Sequence, residues 1–150
     1  MITDGASLRV ASDADLVTAR AEARALANAL GFTRTDATLI ATAVSEIARN
    51  IILHAGGGEI EMTPLENETR CGLRVVASDH GPGMRDVAAA LVDGYAGRGG
   101  LGLGLPGVRR LVDEFTIETQ LDEGTTVTMI KWRTRDELER LRERRQDTRR

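Results

Sequence analysis

Residues 36–54 read DATLIATAVSEIARNIILH, and the recurrence of apolar residues in this stretch decides the fold. Ile40, Val44, Ile47 and Ile51 fall at the three- and four-residue spacings of a helix with a buried face. Ala37, Ala41, Ala43, Ala48 and Ile52 widen that face until most of the circumference is apolar or small. A helix so apolar has to be covered by other elements of a core. Thr38, Thr42, Ser45, Glu46, Arg49 and Asn50 occupy the remaining stripe. Glu46 and Asn50 are four apart, so they stand one turn above each other on one side. Taken alone, that stripe reads as an ordinary exposed face.

Working outward, the spacing predicts one helix before this one and a run of strands after it. Leu8 to Ala11 reads as a short strand. Ser12 starts a helix with Asp15 three residues on, a start that resembles a capping box. That helix continues to Leu30 and stops at Gly31, as it would at a C′ glycine. The helix quoted above begins near Thr35 or Asp36 and ends at Gly56, Gly57 and Gly58. Glu59 to Leu65 and Cys71 to Ser78 read as strands joined by a turn around Glu66, Asn67 and Glu68. Asp86 to Val92 reads as a short helix, Gly94 to Gly104 as a glycine-dense loop, and Pro106 as the first turn of a helix reaching about Glu114. Phe115 to Gln120 and Thr125 to Trp132 read as a closing hairpin around Asp122, Glu123 and Gly124. Strands and helices are partly segregated along the chain. The expected class is α+β, a two-layer α/β sandwich with a mixed β-sheet covered by helices on one face.

Composition sets bounds on this reading. The chain has 150 residues, of which 41% are hydrophobic and 3% aromatic, so one core built from Ala, Val, Leu and Ile is expected. The single cysteine, Cys71, excludes an internal disulfide and suits a reducing cytosol. No secretory signal is recognisable, and no apolar run nears the roughly 20 residues that span a bilayer. A cytoplasmic protein that does not bind membranes is expected. The net charge of −3 argues against general nucleic-acid binding. Residues 133–150 carry eight Arg against five Asp and Glu, a balance of +3, which leaves −6 for residues 1–132. The chain therefore divides into a domain over 1–132 and a charged helical tail over 133–150, with Leu138 and Leu141 as the tail's apolar residues.

Three further stretches carry chemistry. In VVASDHGPGM, residues 75–84, a strand ends at Asp79 and gives way to Gly81, Pro82 and Gly83. A carboxylate there can accept a hydrogen bond from an exocyclic amine, and the glycines let the backbone approach a ligand. By itself the pattern is also that of a plain turn. In GYAGRGGLGLGLPGVRR, residues 94–110, Gly97, Gly99, Gly100, Gly102 and Gly104 crowd the approach to a helix. Exposed backbone N–H groups at such a helix start favour phosphate. The stretch matches neither G-x-G-x-x-G nor the Walker A motif, which needs Gly-Lys-Ser/Thr. The third stretch, Gly124-Thr125-Thr126, opens a strand and needs no function as a hairpin turn.

Taken in order, these elements resemble the GHKL ATPase superfamily, the Bergerat fold of gyrase, heat-shock chaperones and histidine kinases. Its N box resembles Glu46-x-x-x-Asn50, and its first glycine box Asp79-x-Gly81-x-Gly83. Its second resembles Gly100-x-Gly102-x-Gly104, and its closing motif Gly124-Thr125-Thr126. The similarity covers about residues 7–132. Within the superfamily, EIARNIILHAGGGEI (46–60), HGPGM (80–84) and DGYAGRGGLGLGLPGVRRLVDEF (93–115) resemble the RsbT-type serine/threonine kinases of bacterial stress signalling.

That resemblance implies ATP and Mg²⁺ as cofactors. It implies Asn50 as the magnesium ligand and Glu46 as a base or as the group orienting the acceptor hydroxyl. Asp79 would bind the adenine amine, with Thr126 nearby through water. Gly81 and Gly83 would make room for adenine and ribose. Gly100, Leu101, Gly102, Leu103 and Gly104 would wrap the phosphates. Arg49 and Arg98 are weaker candidates for phosphate or partner contact, and His54 and His80 carry no assigned role. The implied activity is transfer of the ATP γ-phosphate to Ser or Thr of STAS-domain antagonist and stressosome scaffold proteins. Activation of a PP2C-type phosphatase by the released kinase would follow. An RsbW-type anti-sigma kinase and a non-catalytic nucleotide-dependent binding module are the alternatives. A detached histidine-kinase catalytic domain ranks last, since no dimerisation helices with a phospho-acceptor His precede the domain.

Overall fold

The computed structural model describes residues 4–83, 104–134 and 141–142. The short helix expected at Asp86 to Val92, Arg98 and the site positions Gly100 to Leu103 lie outside them. So does most of the 133–150 tail, of which Leu141 and Arg142 are helical and exposed.

The elements run β1 (Ala6–Val10), α1 (Asp13–Ala29), α2 (Arg34–Ala55), β2 (Gly58–Glu66), β3 (Arg70–Asp79), α3 (Gly104–Leu111), β4 (Glu114–Gln120) and β5 (Gly124–Thr134). The helix ends follow local chemistry. Ser12 caps α1 by accepting from the Asp15 N–H at 3.2 Å, and Asp15 Oδ2 accepts from the Ala11 N–H at 2.9 Å. Thr33 caps α2 by accepting from the Asp36 N–H at 3.1 Å. α1 closes with Phe32 N–H donating to Ala27 O and Gly31 N–H to Asn28 O, at a Gly31 φ of 83°. This is a Schellman closure, which a left-handed residue makes possible.

The strands form one sheet in the order β1-β2-β3-β5-β4. The α+β two-layer arrangement is the one expected. The pairings β1–β2, β2–β3, β3–β5 and β4–β5 are all antiparallel, so the described sheet is antiparallel throughout rather than mixed. The β4–β5 hairpin docks through its second strand, which puts β4 at the edge.

One face of the sheet supports the core. Val10, Ile60, Met62, Leu73, Val75, Ala77, Val127 and Met129 point towards α1 and α2 and are buried. The facing helices present Ala19, Ala23, Leu26, Ile40, Val44, Ile47 and Ile51, and the alanines let the two helices approach closely. Phe32 is buried in this cluster, and Phe115 packs against it. Leu105 and Val108 of α3 join the same core beside α2.

β5 runs to Thr134, so Arg133 belongs to the sheet rather than to the tail. Its Nε donates to Leu30 O at 2.7 Å, a cation at the C-terminal end of α1 where the helix dipole favours it. No helix among the described residues is long and apolar enough to cross a membrane.

Candidate functional site

The C-terminal ends of α2 and β3 meet at one edge of the core, and the candidate residues gather there. Glu46 and Asn50 are half-buried on α2, on the side left over by its apolar face. Arg49 Nη1 lies 3.9 Å from Glu46 Oε1 along the helix. One turn beyond Asn50, the last residues of α2 touch the end of β3. A Cβ on Gly58 would come within 2.9 Å of Ile51 Cγ2 and 3.2 Å of Asp79 Cβ, and a Cβ on Gly81 within 2.7 Å of Ala55 Cβ.

Asp79 closes β3, half-buried and facing the helices. Its Oδ1 accepts from the Gly81 N–H at 2.9 Å and from the Thr125 N–H at 3.2 Å. Both bonds use the same oxygen, and Oδ2 accepts none among the described residues. Two backbone donors thus fix the carboxylate through one of its oxygens. Gly83 has φ 76°, and the Asp122 N–H donates to Pro82 O at 2.9 Å, tying the 81–83 segment to the β4–β5 turn.

Two glycines press on Asp79 from the neighbouring strands. Gly58 is its register partner on β2, and a Cβ there would stand 2.3 Å from Ser78 O. Gly124 on β5 has φ 131°, and a Cβ there would stand 2.0 Å from Asp79 O. Neither position admits a side chain without moving β3. Sequence reading took Gly58 only as part of a helix stop. The signal that could have found it is a third glycine beyond the one needed for the stop.

Thr126 is not beside Asp79. It pairs with Ser78, and alternation puts its side chain on the sheet face away from the helices. Thr125 faces the helices, is 8% exposed, and gives its N–H to Asp79. The threonine next to Asp79 is therefore Thr125, not the Thr126 expected there. Gly104, with φ 65°, begins α3, which packs against α2.

This donor set fits an adenine nucleotide at its base end. It offers a carboxylate oxygen that accepts no bond among the described residues, a threonine whose N–H meets the same carboxylate, and a half-buried amide on the adjoining helix. No group of three or more His, Cys, Asp or Glu residues that could hold a metal by itself occurs among the described residues. A magnesium ion here would take its shell from Asn50, phosphate oxygens and water, which suits its preference for oxygen ligands and retained waters. His54 and His80 are exposed and not part of such a cluster.

Comparison with known proteins bears on the family and the fold. The family described as Histidine kinase-like ATPase domain matches residues 10–131. The serine/threonine-protein kinase RsbT of Bacillus subtilis (strain 168) is 43% identical over 131 residues, 87% of this chain and 98% of that kinase. Among solved structures, the RsbU and RsbW domains of a Mycobacterium tuberculosis protein superpose with a TM-score of 0.64 at 21% identity. That match covers 89% of this chain and 34% of the other, so this chain spans about a third of that structure's length. The SiaB–SiaC complex of Pseudomonas aeruginosa superposes with a TM-score of 0.53 at 14% identity, over 88% of this chain and 91% of the other. At those identities the two structures speak for the fold.

Proposed function

The chain belongs to the histidine kinase-like ATPase domain family, among its RsbT-type serine/threonine protein kinases, and we propose that its acceptors are STAS-domain proteins of a bacterial stress-response switch. It is an ATP-dependent protein serine/threonine kinase of the partner-switching kind. The proposed acceptors are STAS-domain antagonists and stressosome scaffold proteins. Once it has phosphorylated them and let go, the kinase binds and activates a PP2C-type phosphatase. The likeness to a serine/threonine kinase along nearly that kinase's whole length carries this reading.

Within the site, Asp79 Oδ2 would accept from the adenine amine, with Thr125 beside it. Gly81 and Gly83 would let the base and ribose lie close to the backbone. Gly100, Leu101, Gly102, Leu103 and Gly104 would surround the phosphates with backbone N–H groups at the start of α3. Asn50 would hold magnesium, which when bound offsets charge on the phosphates in a transfer that depends mainly on positioning and electrostatics. Glu46 would orient the acceptor hydroxyl or take its proton. Cytoplasmic localisation belongs to the same proposal.

The test is incubation of the protein with labelled ATP, magnesium and the STAS-domain proteins encoded beside its gene. Label on a Ser or Thr of one of them is expected. Label on none, with stable capture of a sigma factor instead, would replace this reading with an RsbW-type anti-sigma kinase.

A further inference from the structure

The sheet face turned away from α1 and α2 changes character from one end to the other. The row through Ser78, next to Asp79, carries Glu59 on β2, Glu118 on β4 and Arg9 on β1. The next row carries Glu61 beside Val76 and Thr128. Arg74 and Ile130 follow, then Trp132 opposite Gly72, and last Arg70, which pairs with Thr134. This face is therefore acidic near the nucleotide site, apolar across Ile130 and Trp132, and basic around Arg74 and Arg70. The indole of Trp132 lies across Gly72, where a Cβ would come within 2.6 Å of Cε3. The Arg70 guanidinium stands 3.8 Å from the ring centroid, and Trp132 Nε1 donates to Glu114. Arg74 Nε is buried with no acceptor among the described residues.

β5 ends at Thr134, at the basic end of this face, and the charged tail starts there. The family match stops at residue 131, so the tail lies outside the shared domain. Leu138, Leu141, Arg145 and Arg149 recur at spacings of three and four and would share one side of a helix. Leu141 is helical and 45% exposed, an apolar side chain still to be covered. Residues 135–143 hold three Arg against four Asp and Glu, and residues 144–150 hold four Arg against one Asp. The tail is thus apolar and mildly acidic where it leaves β5 and basic at its far end. The sheet face has the opposite sequence of charge in the same direction.

We propose that residues 135–150 dock as a helix across this face, running back along β5 from Trp132 towards Glu59. Leu138 and Leu141 then cover Trp132 and Ile130. Along a helix, Arg145 lies about 10 Å and Arg149 about 16 Å beyond Leu138. Along the strands, the rows of Glu61 and Glu59 lie about 13 Å and 20 Å beyond Trp132. The differences are within the reach of an arginine side chain, so Arg145 meets Glu61 and Arg149 meets Glu59 and Glu118. The carboxylates around Glu137 come to the end that holds Arg70 and Arg74. Tethering to β5 keeps the tail at high effective concentration over this face, which favours it over a second copy as the occupant. Exposed ion pairs contribute little individually, so an outside partner that needs this face can displace the tail.

Trp132 is the single tryptophan of the chain, so its fluorescence reports on this face alone. Emission and acrylamide quenching are measured on the full chain and on Leu138→Ser/Leu141→Ser, with circular dichroism to follow the fold of the domain. The variant should emit at longer wavelength and be quenched more strongly. Equal emission and quenching in the two proteins overturn the proposal. Glu59→Arg/Glu61→Arg should move the signal in the same direction, and adding Arg145→Glu/Arg149→Glu should move it back. A shift that the second pair does not reverse overturns the direction of the helix and the proposal with it. The signal of the unaltered chain should be the same at every protein concentration. If the protected signal appears only where sedimentation finds a dimer, the face belongs to a second copy and the proposal falls.

Discussion

Asp79 shows how a single side chain can be given one chemical sense. Its Oδ1 is held by the N–H groups of Gly81 and Thr125, and these donors belong to the backbone, so mutation of side chains does not remove them. In Asp79→Asn the amide oxygen would keep those two bonds, and the amide nitrogen would then face outward. A donor would meet the adenine amine, itself a donor. The cost of about 1–3 kcal/mol predicts an ADP affinity lower by roughly tenfold or more. Calorimetry on the variant checks this, and an unchanged affinity would remove Asp79 from the adenine site. Glu46 and Asn50 should separate from each other in the same way. Asn50→Ala is expected to weaken nucleotide binding only when magnesium is present and to abolish transfer. Glu46→Ala is expected to keep nucleotide and transfer slowly. A normal transfer rate in Glu46→Ala would rule out its orienting or base role. The strand end at Asp79 and the turn through Gly81 and Gly83 were legible in the sequence because their spacing is local. Thr125 was missed because the side chains of a strand alternate, and a reading displaced by one residue moves the side chain to the wrong face. The correct phase is set by pairing with β3, which the sequence of β5 alone does not reveal.

Among the elements, helix ends were the most legible, since caps are written within a few residues. Ser12 and Asp15 were readable as a helix start, and the structure adds that Asp15 reaches back to the Ala11 N–H as well. α2 begins slightly earlier than its apolar pattern suggests because Thr33, not Thr35, supplies the cap. Strand direction and order were not legible. Antiparallel pairing of β1 with β2 across two intervening helices, and insertion of β5 between β3 and β4, are decided by packing. Arg133 was assigned to the tail by charge alone, whereas its contact is with a carbonyl 103 residues earlier. The α1 cap leads to a prediction about pH. The hydrogen bond from the Ala11 N–H, followed by the bond from Ser12, holds the Asp15 carboxyl below its ordinary 3.8. A group with a lowered folded value stabilises the fold above its unfolded value and loses that effect as pH falls through the folded one. The contribution is therefore complete above pH 3.8 and disappears below it. Asp15→Asn should be less stable than the parent at neutral pH, and the gap should close on acidification through that range. Chemical denaturation at a series of pH values measures the gap. A constant gap would show that the carboxylate charge plays no part in the cap. Ser12→Ala, which removes the other half of the cap, should cost about 1 kcal/mol.

At the scale of the whole molecule, the sheet covers its core with helices on one side, and the candidate nucleotide site lies at the end of that core. The acceptor hydroxyl must then be brought by another protein, and the charge of the kinase bears on how that protein leaves. Residues 1–132 carry a net −6, counted from the −3 of the whole chain and the +3 of residues 133–150. A phosphate adds close to two negative charges to the acceptor protein at neutral pH. Placed near an acidic surface, those charges oppose the contact that brought the hydroxyl to the site. The kinase should therefore bind an unphosphorylated STAS-domain protein more tightly than the phosphorylated form. Because exposed charges are screened over about 10 Å at 0.1 M salt, the difference should narrow as ionic strength rises. Surface-immobilised kinase, titrated with both forms of the acceptor at low and high salt, measures both effects. The released kinase should then capture a PP2C-type phosphatase, and unphosphorylated acceptor should compete with it. Equal affinity for the two acceptor forms at every salt concentration would exclude charge repulsion as the release step. Retention of a sigma factor with no phosphatase binding would identify a different switch built on the same fold.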